Sequence, residues 1–269
     1  MILRRLIDHV KAQHWTAVFL DLIIVVLGVF IGLQANNWNQ YAGDRRAEAE
    51  YLRQLQGDLH NIEAEIDAQI KFEQFHANLA GDVFNLIRND FSETRTLKIS
   101  MGLNELNVRR TLRTQSPTFL NLQGSGKLDI ISDPELRAAI IAYFYGSSRL
   151  EAALDKNNAF FIDQGFNKFV RRKNIPSRKW DAGLMNLQLP PSATVLSPFA
   201  ETAEKSPLYA AGGAVLSAPP DAEIWEEIVS QLSWRGTIAI SNEGIAQNLK
   251  AATEDLEAKL KRHFERRAP

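Results

Sequence analysis

One long apolar segment near the N-terminus constrains the fold of this chain more than any other feature. Residues 17–33 read AVFLDLIIVVLGVFIGL, in which Asp21 is the only charged residue. Trp15 and Trp38 flank the segment, and the helical rise between them is about 34 Å. The hydrocarbon layer of a bilayer is about 30 Å thick, and tryptophan is enriched at its two surfaces. The sequence therefore predicts a transmembrane helix over residues 15–38.

A cleavable signal peptide and a buried helix of a soluble protein are the alternatives for this segment. A signal peptide needs small residues at its cleavage site, whereas the candidate site begins with a large residue, Leu33. A buried helix of a soluble protein is rarely this apolar on all sides. An uncleaved signal anchor is the better interpretation.

The charges beside the segment predict its orientation. The tail at residues 1–14 carries Arg4, Arg5 and Lys11 against Asp8, and the numbers of Lys and Arg tie on the two sides of the segment. A short basic tail is hard to translocate, whereas a long domain of mixed charge crosses largely regardless of its charge. We predict a bacterial inner-membrane protein with a cytoplasmic N-terminus and a periplasmic domain; a cytoplasmic domain is the alternative.

Small and acidic residues share one face of the predicted span. They are spaced by three or four residues and are Asp21, Val25, Gly28, Gly32 and Ala35. Glycines four residues apart let a second helix backbone approach closely, and an acidic residue inside a bilayer usually faces protein or water. This face predicts helix pairing. The alternative is that Asp21 lies near the inner interface and that the glycines are incidental.

The remainder of the chain has the spacing of long helices. A heptad-like apolar pattern predicts a helix over residues 44–89; its apolar residues are Leu52, Leu55, Leu59, Ile62, Ile66, Ile70, Phe75, Leu79, Val83 and Leu86. We further expect a helix over residues 93–112, a helix opening at Ser116-Pro117, and a helix opening with a capping box at Ser132 and running towards Arg172. A break or kink is expected at residues 146–148.

Seven of the ten prolines fall between residues 175 and 220. This segment predicts a long irregular excursion with at most one short helix. A final helix is expected from Asp221, antiparallel to the first long helix, with its basic last turns near the membrane. The fold class is all-α: one N-terminal transmembrane helix, then an elongated helical bundle with long coiled-coil-like helices over residues 44–269.

Two stretches of the chain resemble an uncharacterised family of bacterial single-pass membrane proteins, a domain of unknown function. The first opens with Asp21 and closes with an LQ-x-NNWN-like motif that includes Gln34, Asn36, Asn37 and Trp38. The second, at residues 118–145, contains the Ser125-Gly126 pair, a short apolar segment and a helix start. The resemblance implies the topology and the helical fold, and it supplies no activity.

Composition and motifs exclude several kinds of chemistry. The chain has no cysteine, which removes disulfides and thiolate metal sites, and its near-zero net charge of −1 disfavours a nucleic-acid surface. The five histidines have no metal-ligand spacing and are expected at polar or boundary positions. A phosphate loop ending at Lys127 fails because Asn121 and Leu128 stand at two of its required positions. The sequence predicts no metal and no cofactor.

The sequence therefore favours a membrane-anchored, non-enzymatic helical interaction or scaffold module. Its partners would be the lipid bilayer and either a protein, as for an accessory subunit, or a second copy of itself. Asn36 and Asn37, where the chain leaves the bilayer, are expected to hydrogen-bond to a neighbouring span. The alternative is a membrane-anchored enzyme whose acid–base groups come from the proline-rich excursion; the candidates are Asp181, Glu201, Glu204 and Tyr209.

Overall fold

The computed structural model describes residues 15–176, 178–190 and 213–267, and all regular secondary structure in these ranges is helical. The α-helices are α1 (Trp15–Asn89), α2 (Arg95–Glu105), α3 (Pro117–Gly124), α4 (Pro134–Asn157), α5 (Lys168–Arg172), α6 (Ala182–Met185) and α7 (Ile224–Arg267). A π-helix spans Asn158–Asn167, and 3-10 turns span Leu128–Ile130 and Ala214–Ser217. The all-α prediction is confirmed.

Helix α1 contains both the apolar segment and the first long helix of the remainder of the chain. It is 75 residues long, which corresponds to about 110 Å. The helix continues through residues 39–43 without interruption and ends at Asn89, as predicted. Gly43, Gly57 and Gly81 weaken the helix locally, yet none of them ends it. The apolar segment is thus an extension of a core helix.

Helix α7 runs antiparallel to α1 and packs along it. The Lys250 ammonium lies 2.7 Å from the Asp67 carboxylate, and His263, near the end of α7, lies 3.9 Å from Glu48. Residues later in α7 therefore face residues earlier in α1, which confirms the predicted antiparallel return. The helix begins at Ile224, three residues after the expected start at Asp221.

Two apolar cores lie along the α1–α7 pair. The first core joins α1 to α3, α4 and the second half of α7 and includes Leu52, Leu55, Leu59, Ile62, Ile66, Phe119, Leu136, Ile140, Leu249 and Leu256. The second core joins α1 to α2, the segment around α5 and the first half of α7 and includes Leu79, Val83, Ile99, Leu103, Phe166, Phe169, Trp225 and Ile228. The predicted apolar spacing holds for α1 in both cores, although Ile70, Phe75 and Leu86 are only partly buried.

Local capping explains where two of the helices begin. The Ser116 hydroxyl accepts a hydrogen bond from the Phe119 amide, and Pro117 occupies the first position of α3, as the sequence predicts. Helix α4 differs from the prediction: Asp133, and not Ser132, caps it by accepting from the amides of Glu135 and Leu136. Ser132 is one residue too early to reach those amides, so the expected capping box is wrong.

Two further expectations on helix bounds are corrected. The helix expected over residues 93–112 is shorter, because α2 ends at Glu105 and the chain is irregular from there to Pro117. Helix α4 passes through Gly146 without a break. The irregularity comes later, where the wider π-helix Asn158–Asn167 replaces the α-helix for ten residues.

The described part of the proline-rich excursion packs onto the second core. Trp180, Met185 and Leu187 lie against that core, and the Trp180 indole donates to the Leu187 carbonyl at 3.1 Å. The described part of the excursion contains one short α-helix, α6, capped by Asp181, and the 3-10 turn Ala214–Ser217. Residues 191–212, which include Glu201, Glu204 and Tyr209, lie outside the described residues.

Candidate functional site

The apolar end of α1 is uncovered by the other described residues. Side chains of residues 19–20 and 22–46 are exposed along this length, and none of its most apolar window is buried. This is the one helix in the described ranges that is long and apolar enough to cross a membrane. Length and composition alone are also compatible with a signal sequence.

The predicted pairing face lies on this uncovered part of α1. Val25, Gly28, Gly32 and Ala35 are exposed, and a Cβ added at either glycine would meet no atom within 4 Å. This stripe of small residues leaves room for a second helix to pack against α1. Helix pairing through this face stays a prediction. Trp15 and Asp21 belong to α1, but their side chains lie outside the described set.

The residues of the closing motif are exposed as well. Gln34, Asn36, Asn37 and Trp38 all face away from the chain's own core, and Trp38 is 72% exposed. Their side chains make no hydrogen bond with another described residue, so their predicted contact with a neighbouring span is untested.

Ser125 and Gly126 form the tight turn that ends α3. Gly126 has φ of 68°, a conformation that favours glycine, and the Lys127 amide donates to the Leu122 carbonyl at 2.9 Å. The Ser125 hydroxyl donates to the Asn121 carbonyl at 2.7 Å. These bonds close a helix C-terminus in the usual way. They give the pair a structural role.

A polar cluster separates the two apolar cores. We define the central polar cluster as Gln69, Glu73, His76, Glu105, Arg235 and Asn242, all of which are buried. Arg235 donates from Nε to the Leu106 carbonyl at 2.8 Å and from Nη2 to the Val108 carbonyl at 3.3 Å. Its Nη1 lies 4.0 Å from Glu73 Oε2. Arg235 thereby ties α7 to the irregular segment after α2.

The carboxylates of the central polar cluster take part in its network. Glu73 Oε1 accepts from the side-chain amides of Gln69 at 2.8 Å and Asn242 at 3.2 Å. Asn242 also donates to Asn158 at 3.2 Å, which anchors the first residue of the π-helix. The His76 ring approaches the Phe72 carbonyl at 2.7 Å and a Glu105 carboxylate oxygen at 3.5 Å.

Burial controls the protonation of this cluster. Loss of hydration raises the pKa of Glu73 to about 7 and that of Glu105 to about 8, although Arg235 opposes both shifts. The same loss of hydration, with Arg235 nearby, lowers the pKa of His76 to about 3. Near neutral pH, His76 is therefore neutral, and Glu105 is largely protonated beside the guanidinium.

The burial of the central polar cluster indicates a structural role. Glu73, His76 and Arg235 have at most 2% of their surface exposed, so a substrate has no access to them in this conformation. The network joins α1 to α7 at one point along their length and so fixes the register of the two helices. The expectation of a polar or boundary position for His76 is wrong, because α2 and α7 cover that side of α1.

A second polar cluster lies where α7 returns to the exposed part of α1. We define the Glu48 cluster as Glu48, Ser132, Asp133 and His263. The buried Glu48 carboxylate accepts from the Ser132 amide at 2.8 Å and from the Ser132 hydroxyl at 2.9 Å. The His263 ring lies 3.4 Å from Asp133 and 3.9 Å from Glu48, so the boundary position expected for His263 is also wrong.

The Glu48 cluster joins α1, the start of α4 and the end of α7. A serine, a histidine and carboxylates meet there, and the Ser132 hydroxyl donates to Glu48 at 2.9 Å. In a nucleophilic triad the serine hydroxyl donates to a histidine that a carboxylate orients, so this bond to a carboxylate differs from that arrangement. The cluster binds three helices together directly beside the apolar segment.

Two clefts flank the Glu48 cluster. One, of about 750 Å³, lies between α1 and the 3-10 turn, with Tyr41, Arg45 and Lys127 among its walls. The other, of about 380 Å³, is bounded by Asp133 and Glu135 on one side and by Lys259, Arg262 and Arg266 on the other. Both clefts open at the end of the molecule from which the apolar segment emerges.

Of the residues proposed for chemistry, Asp181 lies in the described ranges. It caps α6 through a 3.0 Å bond from the Leu184 amide. His60 is exposed on α1. In the described ranges, no group of three or more His, Asp and Glu residues is placed to hold a metal ion.

Sequence reasoning missed both polar clusters. Glu73 and His76 interrupt the apolar pattern of α1, and Arg235 stands in a helix whose other buried residues are mostly apolar. The one available signal was that Glu73 and His76 continue the buried face of α1 through a polar stretch.

No family model, no curated protein and no solved structure matches the chain.

Proposed function

We propose that this chain is a membrane-anchored, single-pass helical interaction module that associates with a protein partner or with a second copy of itself. It would lie in a bacterial inner membrane with a cytoplasmic N-terminus, and its helices would form an elongated periplasmic bundle with a coiled-coil-like α1–α7 pair. The resemblance to the single-pass family of unknown function agrees with this topology.

The observation that carries the proposal is the continuity of α1. The helix is buried from Leu52 onward but carries about two dozen exposed, largely apolar residues before that point. An exposed apolar surface of this extent needs a cover in water, and a bilayer covers it completely. The apolar segment continues into the core part of α1 without a break. This continuity favours an uncleaved anchor over a cleaved signal sequence.

The polar clusters support a binding role over the enzyme alternative. The central polar cluster is closed to solvent and joins α1 to α7, and the Glu48 cluster joins the same two helices to the start of α4. Such a firmly joined bundle suits a module that presents fixed surfaces. The exposed Gly28–Gly32 face supplies one such surface inside the membrane.

The first experiment tests anchoring and orientation. Membranes containing the full chain are washed with alkaline carbonate, and reporters fused to the C-terminus identify the compartment. We expect retention of an uncleaved chain and a periplasmic signal. A chain released by carbonate, or shortened at the apolar segment, would overturn the anchoring proposal.

The second experiment tests association. Because the chain has no cysteine, a single cysteine at Val25 gives an unambiguous disulfide cross-link between copies. Gly28→Leu with Gly32→Leu should abolish a self-cross-link, while Val26→Leu, which adds bulk on another face, should preserve it. Stoichiometric retention of another protein, lost on the same glycine substitutions, would instead assign the face to a hetero-complex.

A further inference from the structure

The last turns of α7 carry more positive charge than any neighbouring stretch of the chain. Residues 259–267 contain Lys259, Lys261, Arg262, Arg266 and Arg267, opposed by Glu265 alone. Lys259 is paired with Asp255 at 2.6 Å. Arg262 and Arg266 are exposed on the wall of the 380 Å³ cleft, and neither forms an ion pair with another described residue.

The antiparallel register places these arginines beside the start of the exposed segment. His263 is level with Glu48, which is ten residues beyond Trp38 and thus about 15 Å from it along the helix. Arg266 is three residues further along α7, level with Arg45, about 10 Å from Trp38. That separation is comparable to the Debye length of about 8 Å at physiological ionic strength.

One of the two carboxylates that line the 380 Å³ cleft, Asp133, already has polar partners. Asp133 caps α4 with one oxygen and faces His263 with the other. The lining carries two carboxylates, Asp133 and Glu135, against three basic side chains, Lys259, Arg262 and Arg266. The lining therefore has an excess of one positive charge, and its two arginines form no ion pair with another described residue.

We propose that the C-terminal end of α7 binds the anionic headgroups of the bilayer that holds α1, chiefly through Arg262 and Arg266. The inference rests on the proposed function, since it needs α1 in a membrane. It goes further by giving the module a second, electrostatic contact that holds its membrane-proximal end against the lipid surface. Guanidinium groups suit phosphate because they offer paired donors.

Favourable interaction with the helix macrodipole is the competing role for these cations. That role changes the stability of α7 but gives no preference among lipids. Lipid selectivity measured on the folded, reconstituted protein therefore separates the two roles.

The test uses the full chain in phosphatidylcholine vesicles doped with spin-labelled phosphatidylglycerol or spin-labelled phosphatidylcholine. Electron paramagnetic resonance gives the association constant of each lipid at the protein surface. The variant Arg262→Gln/Arg266→Gln is compared with Arg171→Gln/Arg172→Gln, which removes the same charge. The control arginines belong to α5 beside the second core, whose first buried α1 residue is Leu79, about 60 Å beyond Trp38 along the helix.

We expect the wild type and the α5 variant to prefer phosphatidylglycerol, and the α7 variant to lose about three-fold or more of that preference. The wild-type preference should also vanish in 1 M salt, where the Debye length is about 3 Å. Equal preference in all three proteins, or preference that persists in 1 M salt, would overturn the inference and leave anchoring intact. Failure of the chain to insert, seen as release by alkaline carbonate, would overturn both.

Discussion

Gly102 of α2 lies directly against Val83 of α1. A Cβ built on Gly102 would stand 2.2 Å from Val83 Cγ2, well inside contact distance. The absence of a side chain at Gly102 therefore sets how closely α2 approaches α1 in the second core.

Gly102→Ala should destabilise the protein by about 1–3 kcal/mol, because the added methyl group overpacks this contact. Val83→Ala removes the obstructing methyl groups, so the double variant should be more stable than the sum of the two single losses predicts. Denaturant unfolding of the detergent-solubilised chain measures all three values. Gly81→Ala, with nothing within 4 Å of its added Cβ, is the control and should be neutral or stabilising. Strict additivity would show that the two residues do not contact one another.

Arg235 is expected to be the most sensitive residue of the central polar cluster. Arg235→Met leaves the Leu106 and Val108 carbonyls without their donor and Glu73 without its nearby cation in a buried site, which should cost about 3–5 kcal/mol of unfolding free energy. The measurement is the shift of the denaturation midpoint. Arg53→Met removes a guanidinium that is 65% exposed and paired with Glu50, so it should change stability by less than about 0.5 kcal/mol. Similar small losses for both variants would contradict a structural role for Arg235.

Stability should fall as the pH rises from 6.5 to 8. Glu73 and Glu105 have raised pKa values of about 7 and about 8 in the folded protein, so the folded state holds protons there that the unfolded state has lost. Linkage then predicts a loss of about 2 kcal/mol across this interval. His76, with its lowered pKa of about 3, acts in the opposite direction, but mainly below its unfolded value of 6.5, where the unfolded histidine is protonated and the folded one is not.

Denaturant unfolding at several pH values from 6.5 to 8 tests this dependence. Glu105→Gln removes the group with the higher pKa, and its stability should vary less with pH than that of the wild type. Glu50→Gln, at an exposed position on α1, should preserve the wild-type slope. A stability that rises from pH 6.5 to 8 would show that the carboxylates ionise normally in the fold.

Asp133 should matter to α4 as its cap. Asp133→Ala removes the acceptor for the Glu135 and Leu136 amides and should cost about 1 kcal/mol. Asp133→Asn keeps an acceptor oxygen and should retain most of that stability. If the two variants lose equal stability, the contribution of Asp133 comes from its charge beside His263 and not from capping.

The sequence predicts the elements with strong local signals. Repeated apolar spacing from Leu52 to Ile66 gives α1 its buried face, and Ser116-Pro117 marks the start of α3. These features depend on neighbours within a few residues, which is why they can be read without the tertiary structure. The antiparallel pairing of α7 with α1 can be predicted because both are long amphipathic helices of one domain, and each can bury its apolar face against the other.

The polar clusters depend on contacts between distant residues, and the sequence gives no means of pairing them. Arg235 is 129 residues from the Leu106 carbonyl that it binds, and Ser132 is 84 residues from Glu48. Ser132 precedes the Asp133 cap of α4 and bonds to Glu48, a distant partner that local reasoning does not include. The π-helix arises where Asn158 bonds to Asn242 and to the Arg110 carbonyl.

The unbroken α1 connects the apolar segment directly to both apolar cores. From Trp38 to Asn89 the helix extends about 77 Å, and no joint separates the apolar segment from the cores. A tilt of about 20°, ordinary for a helix in a bilayer, would swing the far end sideways by about 26 Å. A rotation of the apolar segment would likewise turn both cores with it. If α1 spans a bilayer as we propose, a change in bilayer thickness would thus be amplified into a large displacement at the far end of the helix.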